Sequence, residues 1–415
     1  MRTPLYVHIP YCLKKCGYCD FFSKPSDSVP SEYVSAVSRQ VEYLAREFCV
    51  EEWKSVYIGG GSPSLLSAKN LELLCESIKA AATISANCEW TIEMNPGSIS
   101  RELLGAADAC GINRLSVGIQ CKNQKVLDAI GRSATVAQIK EAAELLKKIW
   151  PHEWSADLIA GLPFQTKEDI ARDIDFIDRN GANHISLYSL TLEEGTPLAK
   201  KIESGQIPYD EEAAEELWLY GRDLLEGRGF MQYEVSNFAR PGFESKHNSA
   251  YWAQESYLGA GAGAAGTIYA LPEGWRYTNV LDAAEYIKFW SEEGGANQEA
   301  SQNQNVRAAL GFPCQLEALD QDTQEFEYLM MNLRTRRGAS AAEYKARYSK
   351  DLAARLGFAR DKNCLQAQDA GRKPKGFTDQ KGAAAWLERT ERDGDAFYAM
   401  TREGLLFLNK FLEEL

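Results

Sequence analysis

Hydrophobic positions in the first half of the chain alternate between short apolar runs rich in β-branched residues and longer stretches with helical spacing. The short runs predict buried strands. These lie at 5–9, 55–59, 90–94, 114–120, 155–161 and 184–190. The longer stretches place apolar residues three or four positions apart and predict amphipathic helices. These lie at 31–48, 68–82, 100–109, 123–130, 136–149 and 167–179.

Six β-then-α units in this order predict an α/β fold with parallel strands and right-handed crossovers. We expect a partial (β/α)6 barrel, similar to a TIM barrel, with its chemistry at the carboxyl ends of the strands. Past about residue 210 the pattern changes. A helix near 211–227 and a possible strand over 230–238 follow, and the polar run 294–305 is typical of a linker.

This pattern divides the chain into three expected parts. A barrel core covers 1–240, a connecting segment with the linker covers 241–305, and a smaller, mainly helical domain covers 306–415. By analogy, the last part is expected to be of the winged-helix type.

Composition narrows the class of protein. The chain has 415 residues, of which 45% are hydrophobic and 25% charged, as in globular proteins with a sizeable core. Its net charge of −13 argues against nonspecific binding to nucleic acid. No apolar run approaches the roughly 20 residues of a membrane span, and the N-terminus is too polar for a secretory signal. We therefore expect a cytoplasmic protein.

Cys12, Cys16 and Cys19 form a C-x3-C-x2-C pattern in the loop after the first predicted strand, whereas the other seven of the ten cysteines are scattered singly. Closely spaced thiolates on one loop can converge on an iron–sulfur cluster. Three ligands would leave one iron of a 4Fe–4S cluster open. A zinc site completed by His8 is the alternative, as is a spacing without chemical meaning.

The segment LYVHIPYCLKKCGYCDF (5–21) resembles the signature of radical S-adenosylmethionine enzymes. More narrowly, the chain is similar to the oxygen-independent coproporphyrinogen oxidases and to the HemW-type haem chaperones. The resemblance implies a 4Fe–4S cluster on the three cysteines with S-adenosylmethionine beside it. It also implies reductive cleavage to methionine and a 5′-deoxyadenosyl radical, with an electron donor as a partner.

Further motifs carry this resemblance at the ends of later strands. Taken alone, a glycine triplet is usually a tight turn, a carboxylate at a strand end is often only solvated, and a single arginine usually lies on the surface. An acid within a buried strand points to a site, because burying it unpaired costs free energy. The resemblance implies that these positions contact S-adenosylmethionine: Tyr6, Gly60, Gly61, Ser62, Glu93, Gln120, Arg132 and Asp157.

Two departures separate the two branches of the resemblance. The oxidases have a further cysteine where this chain has Phe21, and they carry a longer N-terminal arm. His247-Asn-Ser-Ala-Tyr-Trp252 matches an H-N-x-x-Y-W motif that the chaperone branch associates with haem, and histidine is a common axial ligand of haem iron. His247 is alternatively a structural residue in a turn. The histidine that relatives carry in a glycine-rich segment is replaced by Ala265, and Cys121 replaces a usual serine.

The resemblance therefore implies a haem chaperone that binds haem, a 4Fe–4S cluster and S-adenosylmethionine, and passes haem to an acceptor such as a respiratory protein. Contact with a membrane surface is expected only through that acceptor. Two alternatives remain open. One is an oxygen-independent coproporphyrinogen III oxidase, and the other is a zinc-stabilised binding protein without redox chemistry.

Overall fold

The computed structural model describes residues 1–291, 310–357 and 386–415. Within these ranges the strands are β1 (Arg2–Ile9), β2 (Tyr11–Cys12), β3 (Lys24–Pro25), β4 (Glu52–Gly60), β5 (Thr83–Met94), β6 (Arg114–Gln120), β7 (Glu153–Ala160), β8 (His184–Ser189), β9 (Met231–Gln232), β10 (Asn237–Ala239), β11 (Leu258–Ala260), β12 (Ala265–Ile268), β13 (Gly274–Asn279), β14 (Cys314–Leu319), β15 (Ala339–Ser340), β16 (Leu387–Arg392) and β17 (Asp395–Met400). The α-helices are α1 (Ser31–Glu47), α2 (Ala68–Ala81), α3 (Arg101–Ala109), α4 (Gln124–Ala129), α5 (Val136–Ile149), α6 (Lys167–Arg179), α7 (Pro197–Glu203), α8 (Glu211–Gly227), α9 (Lys246–Trp252), α10 (Ala283–Ser291), α11 (Gln321–Asn332), α12 (Ala341–Tyr348), α13 (Leu352–Arg355) and α14 (Leu408–Glu413).

A large mixed sheet carries the fold. In the described residues it has nine strands, and β1, β4, β5, β6, β7 and β8 pair in parallel in that order. Helices connect each of these strands to the next, so the α/β prediction is confirmed. Neighbours in the sheet follow chain order because each crossover moves one strand further in the same direction.

The two ends of the sheet differ. At one end β11 pairs in parallel with β1, and at the other β10 pairs antiparallel with β8 and with β9. Hence a strand from 258–260, inside the predicted connecting segment, joins the same sheet as the predicted core. The division at 240 and 305 stays a prediction, and the predicted linker at 294–305 lies outside the described residues.

The two faces of β1 and β4 have different chemistry because successive side chains of a strand alternate. Leu5 and Val7 are fully buried in the apolar core, where α1 contributes Val34 and Val37 at helical spacing. The opposite face of these strands carries polar and aromatic side chains, namely Tyr6, His8, Ser55 and Tyr57. This polar face is where the candidate site lies.

The C-terminal part, predicted to be mainly helical, is not clearly helical, because its helices lie beside small antiparallel sheets. Strands β12, β13 and β14 form one antiparallel sheet, and β15, β17 and β16 form another, alongside helices α11 to α14. Asp393 and Gly394 both have positive φ, 53° and 82°, and make the two-residue turn between β16 and β17. An Asp-Gly pair between strands is a strong hairpin signal, and it was present in the sequence. The winged-helix assignment stays a prediction.

The possible strand predicted over 230–238 is not one continuous strand. The segment divides into β9 and the start of β10, which pair with each other. Glu234 lies buried between them and accepts a hydrogen bond from the Ser236 amide over 2.9 Å. A buried carboxylate needs such donors, so the backbone turns toward it and the strand is interrupted.

Candidate functional site

A cavity of about 560 Å³ opens at the carboxyl ends of the parallel strands. This is the edge where parallel α/β proteins place their chemistry. Ten of the twelve residues that the sequence assigned to the cluster, S-adenosylmethionine or haem line this cavity. They are Cys12, Cys16, Cys19, Gly60, Gly61, Ser62, Glu93, Gln120, Arg132 and Asp157.

The cysteine loop is held in place by backbone bonds to distant segments. The Gly17 amide donates to the Ile130 carbonyl over 2.8 Å, and the Gly17 carbonyl accepts from the Leu198 amide over 2.8 Å. A Cβ atom at Gly17 would lie 3.1 Å from the Ile130 oxygen, so a glycine suits this close approach. The three thiols therefore face the cavity on a braced loop.

The glycine-rich segment at the end of β4 lies directly against the cysteine loop. Gly60 has a φ of 113°, and a Cβ there would come within 2.6 Å of the His8 ring. The Ser62 amide donates to the Tyr11 carbonyl over 2.7 Å, and the Ser62 hydroxyl lies 3.7 Å from Cys12 Sγ. Glycine is required at position 60 because both its backbone angle and the lack of space exclude a side chain.

Two carboxylates form the opposite wall. Glu93, on β5, accepts hydrogen bonds from the Tyr57 hydroxyl over 2.9 Å and from the Gly60 amide over 3.0 Å. Asp157, on β7, accepts from the Ser116 hydroxyl over 3.0 Å. Burial, together with the nearby Asp157 charge, raises the pKa of Glu93 to about 7. Burial likewise raises the pKa of Asp157. A cationic group between Glu93 and Asp157 would offset the free-energy cost of burying their two charges.

Arg132 reaches the cavity from the loop after α4. Its guanidinium donates to the Gly118 carbonyl over 2.7 Å and to Cys16 Sγ over 3.4 Å, while its Nε atom is buried without a partner in the described residues. Gln120, at the end of β6, has a φ of 65°. Gly118 makes room for both side chains, since a Cβ there would lie 2.8 Å from the guanidinium.

Tyr6 does not line the cavity. Its hydroxyl donates to His8 Nδ1 over 2.8 Å, and His8 Nε2 lies 3.1 Å from the Phe22 carbonyl oxygen just after the cysteine loop. Both ring nitrogens of His8 are thus engaged away from the cysteines, whereas the zinc alternative needs one of them as a ligand. In the described residues, no three Cys, His, Asp or Glu side chains are grouped to hold a metal ion.

His247 also lies outside the cavity. It belongs to α9, which packs on the polar face of the sheet, and its Nδ1 atom is 2.9 Å from the Ser55 hydroxyl. Its ring lies 5.1 Å from the Tyr57 ring, centroid to centroid. Burial lowers the pKa of His247 to about 4, so the imidazole is neutral at pH 7. Tyr57 separates His247 from Glu93.

Known proteins resemble this chain over most of its length. A model of the radical SAM superfamily matches residues 6–177. The heme chaperone HemW of Lactococcus lactis is 37% identical over 299 residues, which are 71% of this chain and 76% of that protein. The chain belongs to the HemW family of the radical SAM superfamily.

Two further comparisons extend the picture of this family. The bovine mitochondrial radical S-adenosyl methionine domain-containing protein 1 is 38% identical over 279 residues, and the chain spans 62% of its length. The structure of coproporphyrinogen III oxidase (HemN) from Escherichia coli matches with a TM-score of 0.75 at 20% identity, covering 99% of this chain and 90% of that one. The second match concerns the fold alone.

Three further positions that the sequence singles out, Phe21, Ala265 and Cys121, have clear places in the structure. Phe21 is 71% exposed at the cavity mouth. Ala265 is half-buried in β12, where it pairs with Thr278. Cys121 is fully buried and hydrogen-bonded to Asp173, as a serine at this position would also be. In the described residues, no helix is long and apolar enough to cross a membrane.

Sequence reasoning missed the residues that hold α9 to the sheet. Glu89, on β5, accepts from the Ser245 hydroxyl over 2.8 Å and from the His247 amide over 3.0 Å. Glu234 accepts from the Trp252 side chain. The alternation of β5 offered a signal, since Glu89 and Glu93 are four residues apart and share one face of the strand.

Proposed function

We propose that this protein is a haem chaperone that carries a 4Fe–4S cluster and S-adenosylmethionine and transfers haem to an acceptor protein. The observation that carries the proposal is one cavity that is lined by three cysteines, two carboxylates and Arg132 in a HemW family member. A respiratory enzyme is the acceptor class that we infer from the family resemblance.

The donor set of the cavity suits the cluster. Cys12, Cys16 and Cys19 would hold three irons of a 4Fe–4S cube, because thiolates are the ligands of such clusters. Arg132 donates a hydrogen bond to Cys16 Sγ and would place a positive charge beside a cluster-bound sulfur there. When bound, the cluster and S-adenosylmethionine supply reductive cleavage of a carbon–sulfur bond.

The walls of the cavity suit a ligand that carries both positive and negative groups. Glu93 and Asp157 would face the ammonium and sulfonium groups of S-adenosylmethionine, because burial of two carboxylates side by side favours a cationic partner. Arg132 would bind its carboxylate, and its unpartnered Nε–H supports this role. Gly60 and Gly61 let the backbone approach the ligand closely.

His247 is the residue that we propose to ligate haem. It is neutral at pH 7, which is the form that binds iron, and Ser55 engages only Nδ1. In the described part of the chain, Nε2 has no hydrogen-bond partner. On the same helix, Tyr251 is 42% exposed and packs with Trp252 and Tyr257. These aromatic rings offer the faces that a porphyrin packs against.

The test uses anaerobically purified protein reconstituted with iron and sulfide. We expect about four irons per chain, negligible zinc, and binding of S-adenosylmethionine by calorimetry. Haem titrations followed in the Soret band should show weaker binding by His247→Ala. His152→Ala serves as the control, since His152 is solvent-accessible and bonded to Asp108 instead.

Three results would overturn parts of the proposal. Protein that contains zinc in place of iron would contradict the cluster. Equal haem affinity of wild type and His247→Ala would remove His247 from the haem site. Formation of protoporphyrinogen from coproporphyrinogen by the reduced protein would replace the chaperone with the oxidase.

A further inference from the structure

Tyr57 touches both Glu93, in the cavity wall, and His247, on the helix α9 that carries the haem motif. Its hydroxyl donates to Glu93 Oε1 over 2.9 Å. Its ring packs against the His247 ring at 5.1 Å on one side and against Tyr6 at 6.2 Å on another. The side chain thus lies at the boundary between the cavity and α9.

The packing around this contact leaves little freedom. A Cβ atom at Gly59 would lie 2.8 Å from the Tyr57 ring and 2.9 Å from Glu93 Oε1, so the pair fits only beside a glycine. The second oxygen of Glu93 is held by the Gly60 amide. With one donor on each oxygen, the carboxylate has a fixed direction toward the cavity.

We propose that Tyr57 is a positioning residue for both sites: its hydroxyl holds Glu93 toward S-adenosylmethionine, and its ring forms the wall against which His247 is oriented. This inference rests on the proposed function, because it assumes that the cavity binds S-adenosylmethionine and that α9 takes part in binding haem. It assigns the two tasks to different parts of one side chain.

The hydroxyl also affects the charge of Glu93. Burial and the Asp157 charge raise the pKa of Glu93, whereas the hydrogen bond from Tyr57 lowers it. Among the residues that the structure describes, the other ionisable groups that interact with Glu93 are the Tyr6 and Tyr188 hydroxyls, which are neutral near pH 7 because burial raises the pKa of each. Loss of the Tyr57 hydroxyl would therefore raise the pKa of Glu93 and reduce the ionised fraction near neutral pH.

The role of the Tyr57 ring can be tested separately from that of its hydroxyl. Tyr57→Phe keeps the surface that His247 packs against but removes the donor to Glu93. Tyr57→Leu removes the aromatic surface and the donor together. Tyr43→Phe is the matched control, because the Tyr43 hydroxyl donates to the Leu310 carbonyl over 2.7 Å, away from the cavity.

The experiment measures S-adenosylmethionine binding by calorimetry between pH 6 and 9, and haem binding in the Soret band, on reconstituted protein. We expect Tyr57→Phe to bind S-adenosylmethionine about tenfold more weakly at pH 7, the loss typical of a hydrogen bond to a charged group. Its binding should recover at a higher pH than that of the wild type. Its haem affinity should match the wild type, and Tyr57→Leu should lose affinity for both ligands.

Each outcome decides between two claims. If wild type binds S-adenosylmethionine and Tyr57→Phe binds it with the same affinity and pH midpoint, the role of the hydroxyl is refuted. If Tyr57→Leu keeps wild-type haem affinity, the role of the ring is refuted. If the wild type itself binds neither ligand, the proposed function fails instead.

Discussion

Arg132 donates a hydrogen bond to the Sγ atom of Cys16 across 3.4 Å, although 115 residues separate them in the chain. The same guanidinium donates to the Gly118 carbonyl, at the end of β6. Arg132 therefore links the cysteine loop to the fourth parallel strand of the sheet. A charged hydrogen bond of this kind is stronger than a neutral one.

Replacing this arginine should separate ligand binding from cluster binding. We expect Arg132→Gln to weaken S-adenosylmethionine binding by about 10- to 100-fold, since it removes a charged partner of the ligand's carboxylate. Iron content should stay near the wild-type value, because the three cysteines are unchanged. Calorimetry and iron analysis measure the two effects. Arg179→Gln, an exposed change on α6, is the control and should alter neither.

The cluster assignment predicts which cysteines matter. Cys19→Ser should lose most of the bound iron, because a hydroxyl is a much poorer ligand for an iron–sulfur cluster than a thiolate. Cys49→Ser is the matched control, since Cys49 is exposed at the end of α1 and far from the cysteine loop in sequence. Iron and acid-labile sulfide analysis measures the effect. Equal iron content in the two variants would contradict the cluster site.

The attachment of helix α9 to the sheet should depend on Glu89. This buried carboxylate accepts three hydrogen bonds at the start of α9 and lies 3.8 Å from the Arg114 guanidinium. We expect Glu89→Gln to lower the free energy of unfolding by about 2 to 3 kcal/mol, because it weakens charged hydrogen bonds and leaves a buried cation unpaired.

Urea denaturation measures this loss, and haem titration should show a parallel loss of affinity because His247 belongs to the same helix. Glu51→Gln, at an exposed position before β4, is the control. A Glu89→Gln variant with wild-type stability would show that α9 is held by its apolar contacts alone.

His184 should make stability fall in acid. Burial lowers its pKa well below the ordinary value, and the Arg114 charge lowers it further, so the folded protein keeps it neutral. The unfolded chain binds a proton there below about pH 6.5. The contribution of neutral His184 to the free energy of unfolding is therefore complete above about pH 6.5. It is lost at about 1.4 kcal/mol per pH unit as the pH falls below about 6.5.

The variant His184→Gln keeps a polar group beside the Tyr233 hydroxyl but does not titrate. We expect the difference in unfolding free energy between wild type and His184→Gln to shrink between pH 7 and 5.5. Buried carboxylates with raised pKa, such as Glu234, act in the opposite direction but are common to both proteins, so the difference isolates His184. His152→Gln is the control, and an unchanged difference across this range would refute the prediction.

The parallel part of the fold was predictable because its signals are local. Each strand is an apolar run, and each helix has its own periodicity and often its own cap, such as the capping box at Thr135. The C-terminal strands were missed because β16 alternates exposed and partly buried residues beside a short turn, and little of it is buried. There the Asp393–Gly394 pair was a better guide than hydrophobicity.

The sequence by itself determined that the cavity residues meet, because parallel strands bring the carboxyl ends of β4, β5, β6 and β7 to one edge. Only the tertiary structure decided which of the remaining motif residues join them. Tyr6 turned out to bond His8, and His247 lies beside Ser55, 192 residues away in the chain. Such contacts depend on how a helix from a distant part of the chain packs against the sheet. The local pattern of hydrophobic and polar residues does not predict that packing.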